Sequence, residues 1–190
     1  MTQARLTAFL RAASMMTLVA CAVVPRPGAA AEPAAVAPPT VIVVRHAEKV
    51  DDSRDPALSD AGAARAEALA EALEHAGLDA VYASQFRRTR LTATPAAEDA
   101  GLPVRIAPIE GDVGAWAQGF TVELAQTHAD ETVLVAGHSN TVPPLVAALC
   151  DCTVEPLTDR DYDRIYIVTG AGGGQPELVV ARYGSLSADD

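Results

Sequence analysis

The chain of 190 residues carries 14 basic and 25 acidic side chains, a formal net charge of −11. Three arginines (Arg5, Arg11, Arg26) lie ahead of position 32 with no acid among them, so the remainder holds 11 basic against 25 acidic groups, a net of −14. Such a surface repels phosphodiester backbones and argues against nucleic acid as a partner, while 49% hydrophobic content over one domain's length is ample for a core.

Residues 1–31 read as an export signal: Arg5 and Arg11 form a positive start, and Ala12 to Val24 is an apolar run too short to span a bilayer. Two endings compete. Leu18-Val19-Ala20-Cys21 resembles a bacterial lipobox, which would place a lipid anchor on Cys21, the one membrane contact this sequence suggests. Ala29-Ala30-Ala31 suits ordinary signal cleavage and a soluble product. Residues 32–39, rich in Pro and Ala, read as a linker, 40–184 as a single domain and 185–190 as a tail.

Val41-Ile42-Val43-Val44 is a β-branched run suited to a strand buried on both faces, and it stops at Arg45-His46-Ala47-Glu48. After an acidic turn, Ser59 is positioned to cap a helix that runs to about His75, with Leu69, Ala72, Leu73 and Ala76 at helical spacing and Gly77 as its stop. Asp79 to Ala83 reads as a second strand ending at Ser84. A helix from about Phe86 to Ala100 follows, with a break or kink expected at Pro95. Val104 to Ile106 suits a short edge strand; Pro108 to Gly119 has weak signals, and Phe120 to Ala129 reads as a helix. Thr132 to Ala136 is a further apolar strand that ends in Gly137-His138-Ser139-Asn140, ahead of a helix with Pro143 and Pro144 in its first turn. Arg164–Thr169 and Glu177–Tyr183 alternate as strands. Strands alternating with helices imply a layered α/β sheet.

Three strands thus end in polar groups: Arg45-His46, then Ser84 with Arg87, Arg88 and Arg90, then His138-Ser139-Asn140. In open α/β sheets functional groups collect beyond the carboxyl ends of strands. Two histidines with guanidinium forks suit a phosphate dianion, since Arg presents paired donors to phosphate oxygens and His can act as a covalent nucleophile. Neighbouring arginines would also keep the imidazole neutral and able to attack.

These motifs resemble the histidine phosphatase superfamily, the phosphoglycerate mutase-like proteins, over Thr40 to about Leu149. Arg45-His46-Ala47 stands at that family's R-H-G motif with Ala for Gly. Leu58-Ser59-Asp60-Ala61-Gly62 fits its L-[ST]-x-x-G element, Ser84 through Ala93 its S-x-x-x-R-x-x-x-T-A segment, and Gly137-His138 its second-histidine motif. The resemblance implies a three-layer α/β/α sandwich with a mostly parallel central sheet. It implies a metal-independent phosphomonoester hydrolase without cofactor: His46 attacks phosphorus, Arg45, Arg88 and His138 hold the phosphoryl oxygens, and water then releases the phosphate. For the proton donor, Glu110 is the nearest match, Asp112 the next, and some small members lack a clear acid. Glu48 is expected to support the fold or the local charge.

A nucleophile-elbow reading of Gly137-His138-Ser139 fails because no histidine follows Ser139. A metal-dependent phosphatase on His46, His138 and Glu48 is disfavoured by the guanidinium groups beside them. A phospho-ligand binding module of the same fold, or a phosphomutase, remain as alternatives. The sequence leaves the phosphorylated substrate (phosphoprotein, envelope sugar phosphate or small ester) and the oligomeric state open. Arg87 and Arg90 read as a solvated face, as do His75 and His128, Trp116 as core, and the runs Asp51-Asp52 and Asp159–Asp163 as solubilising loops. Cys150 and Cys152 read as small buried residues in preference to a disulfide.

Overall fold

A computed structural model describes residues 37–187. The expected export signal, with Cys21, and positions 32–36 of the linker lie outside those residues. Six strands form one sheet in the order β3-β2-β4-β1-β5-β6. They are β1 (Thr40–Arg45), β2 (Ala80–Ala83), β3 (Val104–Ile106), β4 (Thr132–Gly137), β5 (Arg164–Thr169) and β6 (Glu177–Arg182). β1 to β4 pair in parallel, while β5 and β6 add an antiparallel edge.

Successive side chains of a strand point to opposite faces. Val41 and Val43 therefore join one core with Phe120, Leu124, Leu145 and Leu149, and Ile42 and Val44 join the other with Leu69, Leu73, Ala93 and Ala97. Helices α1 (Asp60–Leu73) and α2 (Arg87–Asp99) cover the second face, and α3 (Val113–Thr127) and α4 (Val142–Cys150) the first. This is the expected three-layer sandwich with a mostly parallel sheet.

The Ser59 side chain accepts from the Gly62 amide and caps α1. Gly62 has a second reason to be glycine: a Cβ there would run into the Glu48 carbonyl oxygen. The first turn of α1 thereby packs on the chain leaving β1, and Glu48 takes three hydrogen bonds from Arg65 at 2.7–3.0 Å. Burial works to raise the Glu48 carboxyl, but the bonds from Arg65, a bond from its own backbone amide and the charges of Arg65 and Arg45 together hold it below its ordinary value. Glu48 supports the fold, as expected.

Several expectations are corrected. α2 runs unbroken through Pro95, because a proline forfeits one backbone bond while burial of Thr92, Ala93, Ala96 and Ala97 holds the turns on either side. α3 begins at Val113, ahead of the expected Phe120. Gly114 and Gly119 weaken the local helical signal, yet burying Ala117, Phe120 and Leu124 outweighs that propensity deficit. Cys150 and Cys152 form a disulfide across Asp151, whose backbone is left-handed and ends α4. His128 is 3% exposed, bonded to the Tyr82 hydroxyl (2.8 Å) and Glu131 (2.6 Å). Asp163 is fully buried within the supposed solvated run, accepting from Arg182 and the Ser187 amide. The ends differ too: the Ala37 carbonyl accepts from the Asp130 amide and the Ser185 carbonyl from Arg65, so parts of the expected linker and tail are tied to the domain.

Candidate active site

The strand order brings the exits of β1, β4 and β2 side by side. Arg45 is level with Gly137 and Ala83 with Ala136, and the His46 amide donates to the Gly137 carbonyl at 2.9 Å. The next residue of each strand is then His46, His138 or Ser84, so all three polar exits meet at one edge. The two imidazole centroids lie 5.3 Å apart, edge to face. Helices α2 and α4 both begin here, and helix N-termini favour anions.

His46 Nδ1 lies 2.8 Å from the Ala47 carbonyl oxygen. A carbonyl only accepts, so Nδ1 carries the proton and Nε2 keeps its lone pair. The Ala47 amide in turn donates to Thr92 Oγ1 at 2.9 Å, which anchors the turn from α2. Burial pushes the His46 pKa down to about 4, against the Ala47 hydrogen bond, and Arg45 and Arg88 push it the same way as burial. The ring is neutral at physiological pH, which a nucleophile requires.

His138 is fixed from both sides. Arg88 Nη2 donates to Nδ1 at 3.2 Å, so Nε2 carries the proton and donates to Ser84 Oγ at 2.8 Å. Ser84 passes its own proton to Thr89 Oγ1 (2.8 Å), and Thr89 donates to the Phe86 carbonyl (2.8 Å). Burial, then Arg88 and His46, drive His138 to a pKa of about 3. An anion set against Arg88 would oppose the second of those effects and favour a proton on Nδ1.

Arg45 is 4% exposed, donates Nη1 to the Thr158 carbonyl at 2.7 Å and stacks 4.1 Å from the centre of the Tyr162 ring. These supports come from the loop joining α4 to β5. A guanidinium this buried is oriented by its partners, which leaves less entropy to lose when it meets phosphate. Arg88 is partly buried and stacks over Phe86 at 4.6 Å.

Arg45, His46, Arg88 and His138 line one open cavity of about 450 Å³, together with Lys49, Arg54, Asn140 and Asp159. The structure thus brings together four of the five expected site residues. The fifth, Glu110, is exposed and is not among the lining residues, although its neighbour Ile109 is. Asp112, the other expected donor, caps α3 by accepting from the Ala115 amide at 2.9 Å. The partner role of Ser84 with Thr89, and the places of Thr158, Tyr162 and Asp159, escaped the sequence reading. Only Ser84 carried a signal there, as the polar end of a strand. A larger groove of about 910 Å³ between α1 and α2 is lined by Glu67, Glu71, Glu74 and Asp99 among small apolar residues, with no cation, and suits no phosphate. Among the described residues no group of three or more His, Cys, Asp and Glu is placed to hold a metal ion.

Comparison with known proteins agrees with this geometry. Residues 41–132 match the family model of the histidine phosphatase superfamily, branch 1; the match ends short of His138. Phosphoserine phosphatase 1 of Hydrogenobacter thermophilus is 35% identical in an alignment 102 residues long that covers 48% of this chain and 47% of that protein, so the match spans about half the curated relative's length. The native mycobacterial glucosyl-3-phosphoglycerate phosphatase has a TM-score of 0.63 at 19% identity, over 76% of this chain and 99% of that one. The protein histidine phosphatase SixA, complexed with tungstate, has a TM-score of 0.58 at 24% identity, over 75% of this chain and 96% of that one. At these identities the structural likeness is one of fold. Over residues 41–132, just under half of the chain, the sequence is thus similar to the histidine phosphatase superfamily, with an arginine and a histidine at the exit of β1 inside the match and a second histidine at the exit of β4 beyond it.

Proposed function

We propose that the protein is an exported phosphomonoester hydrolase that works through a phosphohistidine on His46. The observation that carries this reading is the state of His46: its proton is committed to the Ala47 carbonyl, and its free Nε2 sits in a cavity shared with Arg45, Arg88 and His138. The lone pair attacks phosphorus and the P–O bond to the leaving group breaks. The guanidinium groups of Arg45 and Arg88 stabilise the charge on the equatorial oxygens, with His138 held beside them by Ser84. Water then displaces phosphate from His46 and restores the neutral ring.

The cavity is broad and open, which favours a phosphate carried on a larger body, such as a phosphoprotein or an envelope sugar phosphate. The names of the relatives span phosphoserine, glucosyl-3-phosphoglycerate and protein histidine phosphatases and favour no one substrate here. Export is supported by the leader-like residues 1–31 and by the Cys150–Cys152 disulfide, a bond that persists in oxidising compartments.

The test is a rapid-quench trap of the purified protein with a labelled phosphomonoester in EDTA. An acid-labile, alkali-stable adduct mapped to His46 is expected, and His46→Ala should lose turnover by at least about 10⁴-fold while keeping its circular dichroism. Phosphate binding with no turnover of any phosphomonoester would convert the reading to a binding module.

A further inference from the structure

Resting on the phosphohistidine reading above, we propose that Asp159 is the proton donor to the leaving group and then the base toward the attacking water. Every other charged group on the cavity wall is a cation: Arg45, Lys49, Arg54 and Arg88. Asp159 is the one carboxylate among the described lining residues, since Glu110 and Asp112 lie off the wall. It comes from the loop between α4 and β5, far in sequence from the stretch after β3 where a donor was expected.

The backbone around Asp159 is held while its carboxylate is left available. On one side the Thr158 carbonyl accepts from Arg45 Nη1 at 2.7 Å, and the Thr158 amide donates to Asp161 Oδ2 at 2.6 Å. On the other, the Arg160 amide donates to Thr158 Oγ1 at 3.3 Å, and the Tyr162 ring underlies Arg45. Asp159 is close enough to Arg45 to act on its charge, yet its carboxylate takes no hydrogen bond or ion pair among the described residues. The carboxylate is exposed to solvent on the cavity wall and is accessible to whatever enters.

A carboxyl group on the wall of a phosphate cavity can exchange a proton with an oxygen of the bound ester, which is what a departing alkoxide requires. In the first step the His46 Nε2 lone pair forms the N–P bond, the P–O bond breaks, and the Asp159 proton passes to the departing oxygen, releasing a neutral alcohol. In the second step water attacks phosphorus and gives its proton to the Asp159 carboxylate. The N–P bond breaks and its electron pair returns to Nε2. Phosphate leaves, and Asp159 is protonated for the next cycle.

The test measures single-turnover formation of phospho-His46 with p-nitrophenyl phosphate and with unsubstituted phenyl phosphate, in the full-length wild type, Asp159→Asn, Asp159→Glu and Glu110→Gln. The phenolate leaves poorly without a proton and the nitrophenolate leaves well, so loss of the donor should be selective. Asp159→Asn is expected to lose about 10²-fold more rate on phenyl than on nitrophenyl phosphate, with partial recovery in Asp159→Glu and no such selectivity in Glu110→Gln. Equal losses on the two esters in Asp159→Asn, or the selective loss in Glu110→Gln instead, would overturn the assignment while leaving the phosphohistidine reading intact. A wild type that forms no adduct on His46 would overturn that reading, and this one with it.

Discussion

Strand β4 has a buried histidine at each end, and the two serve different ends. His128, just before the strand, sits between the Tyr82 hydroxyl and the Glu131 carboxylate, so both ring nitrogens have a partner within its own wall. His138, just after it, is backed by Ser84 but faces Arg88, and His46 and Arg45 stand beside it. Burial is nearly the same for the two, 3% and 7% exposed. What separates a structural histidine from a reactive one is the company. Partners of mixed polarity close the hydrogen-bond account, whereas arginines against the ring, with no carboxylate bonded to it, leave it neutral and the space before it open to an anion.

The comparison breaks most visibly at Arg88. Arg88→Ala is expected to lower kcat/KM by about 10²–10³-fold and to weaken competitive inhibition by inorganic phosphate, because it removes a donor matched to phosphoryl oxygen. Steady-state kinetics with phosphate as inhibitor checks both. An unchanged inhibition constant would remove Arg88 from the phosphate cradle.

Acid sharpens the contrast further. His46 and His138 titrate near 4 and 3 in the folded protein against about 6.5 in the unfolded chain. Over the interval between, the unfolded chain binds more protons, so stability rises with pH there. The contribution is complete above about pH 6.5 and is lost as pH falls through that window, amounting to about 3 kcal/mol for His46. Urea unfolding at pH 7 and at pH 4.5 should show a smaller loss in His46→Asn than in the wild type, and NMR of the His46 C2 proton should show no titration above pH 5. A midpoint near 6.5 would refute the effect of burial and of the arginines.

The gentlest probe is at the other end of the strand. His128→Ala leaves the Tyr82 hydroxyl and Glu131 without their shared partner and is expected to cost about 1–3 kcal/mol in chemical unfolding, with kcat kept within about twofold. A loss of turnover comparable to that of Arg88→Ala would show that the two histidines do not divide their labour in this way.

Much of the site was legible before any coordinates. The β-branched run ahead of Arg45-His46 and the apolar run ahead of His138 are local patterns, and a buried strand delivers its last residue to the sheet edge whatever surrounds it. Ser59 and Gly62 could be read as a helix start for the same reason. The unbroken apolar run of β1 likewise determines that both its faces are buried, hence helices on both sides. What the sequence by itself determined is this set of local commitments, because propensity, periodicity and capping act within a few residues.

Tertiary structure alone decided the rest. Arg45 meets Thr158 across 113 positions and Arg65 meets Tyr183 across 118, and no periodic signal spans such distances. Asp159 and Asp163 look alike in an acidic run, yet one lines the cavity and the other is fully buried beneath Arg182 and Ser187. His128 reads as a surface residue until α3 turns it onto Tyr82. α3 itself starts earlier than its glycines suggest, because the aromatic side chains of Trp116 and Phe120 find a core to stack in. These outcomes depend on which loops and faces meet, and that is settled by burial free energy summed over the whole sheet, a quantity no local stretch contains.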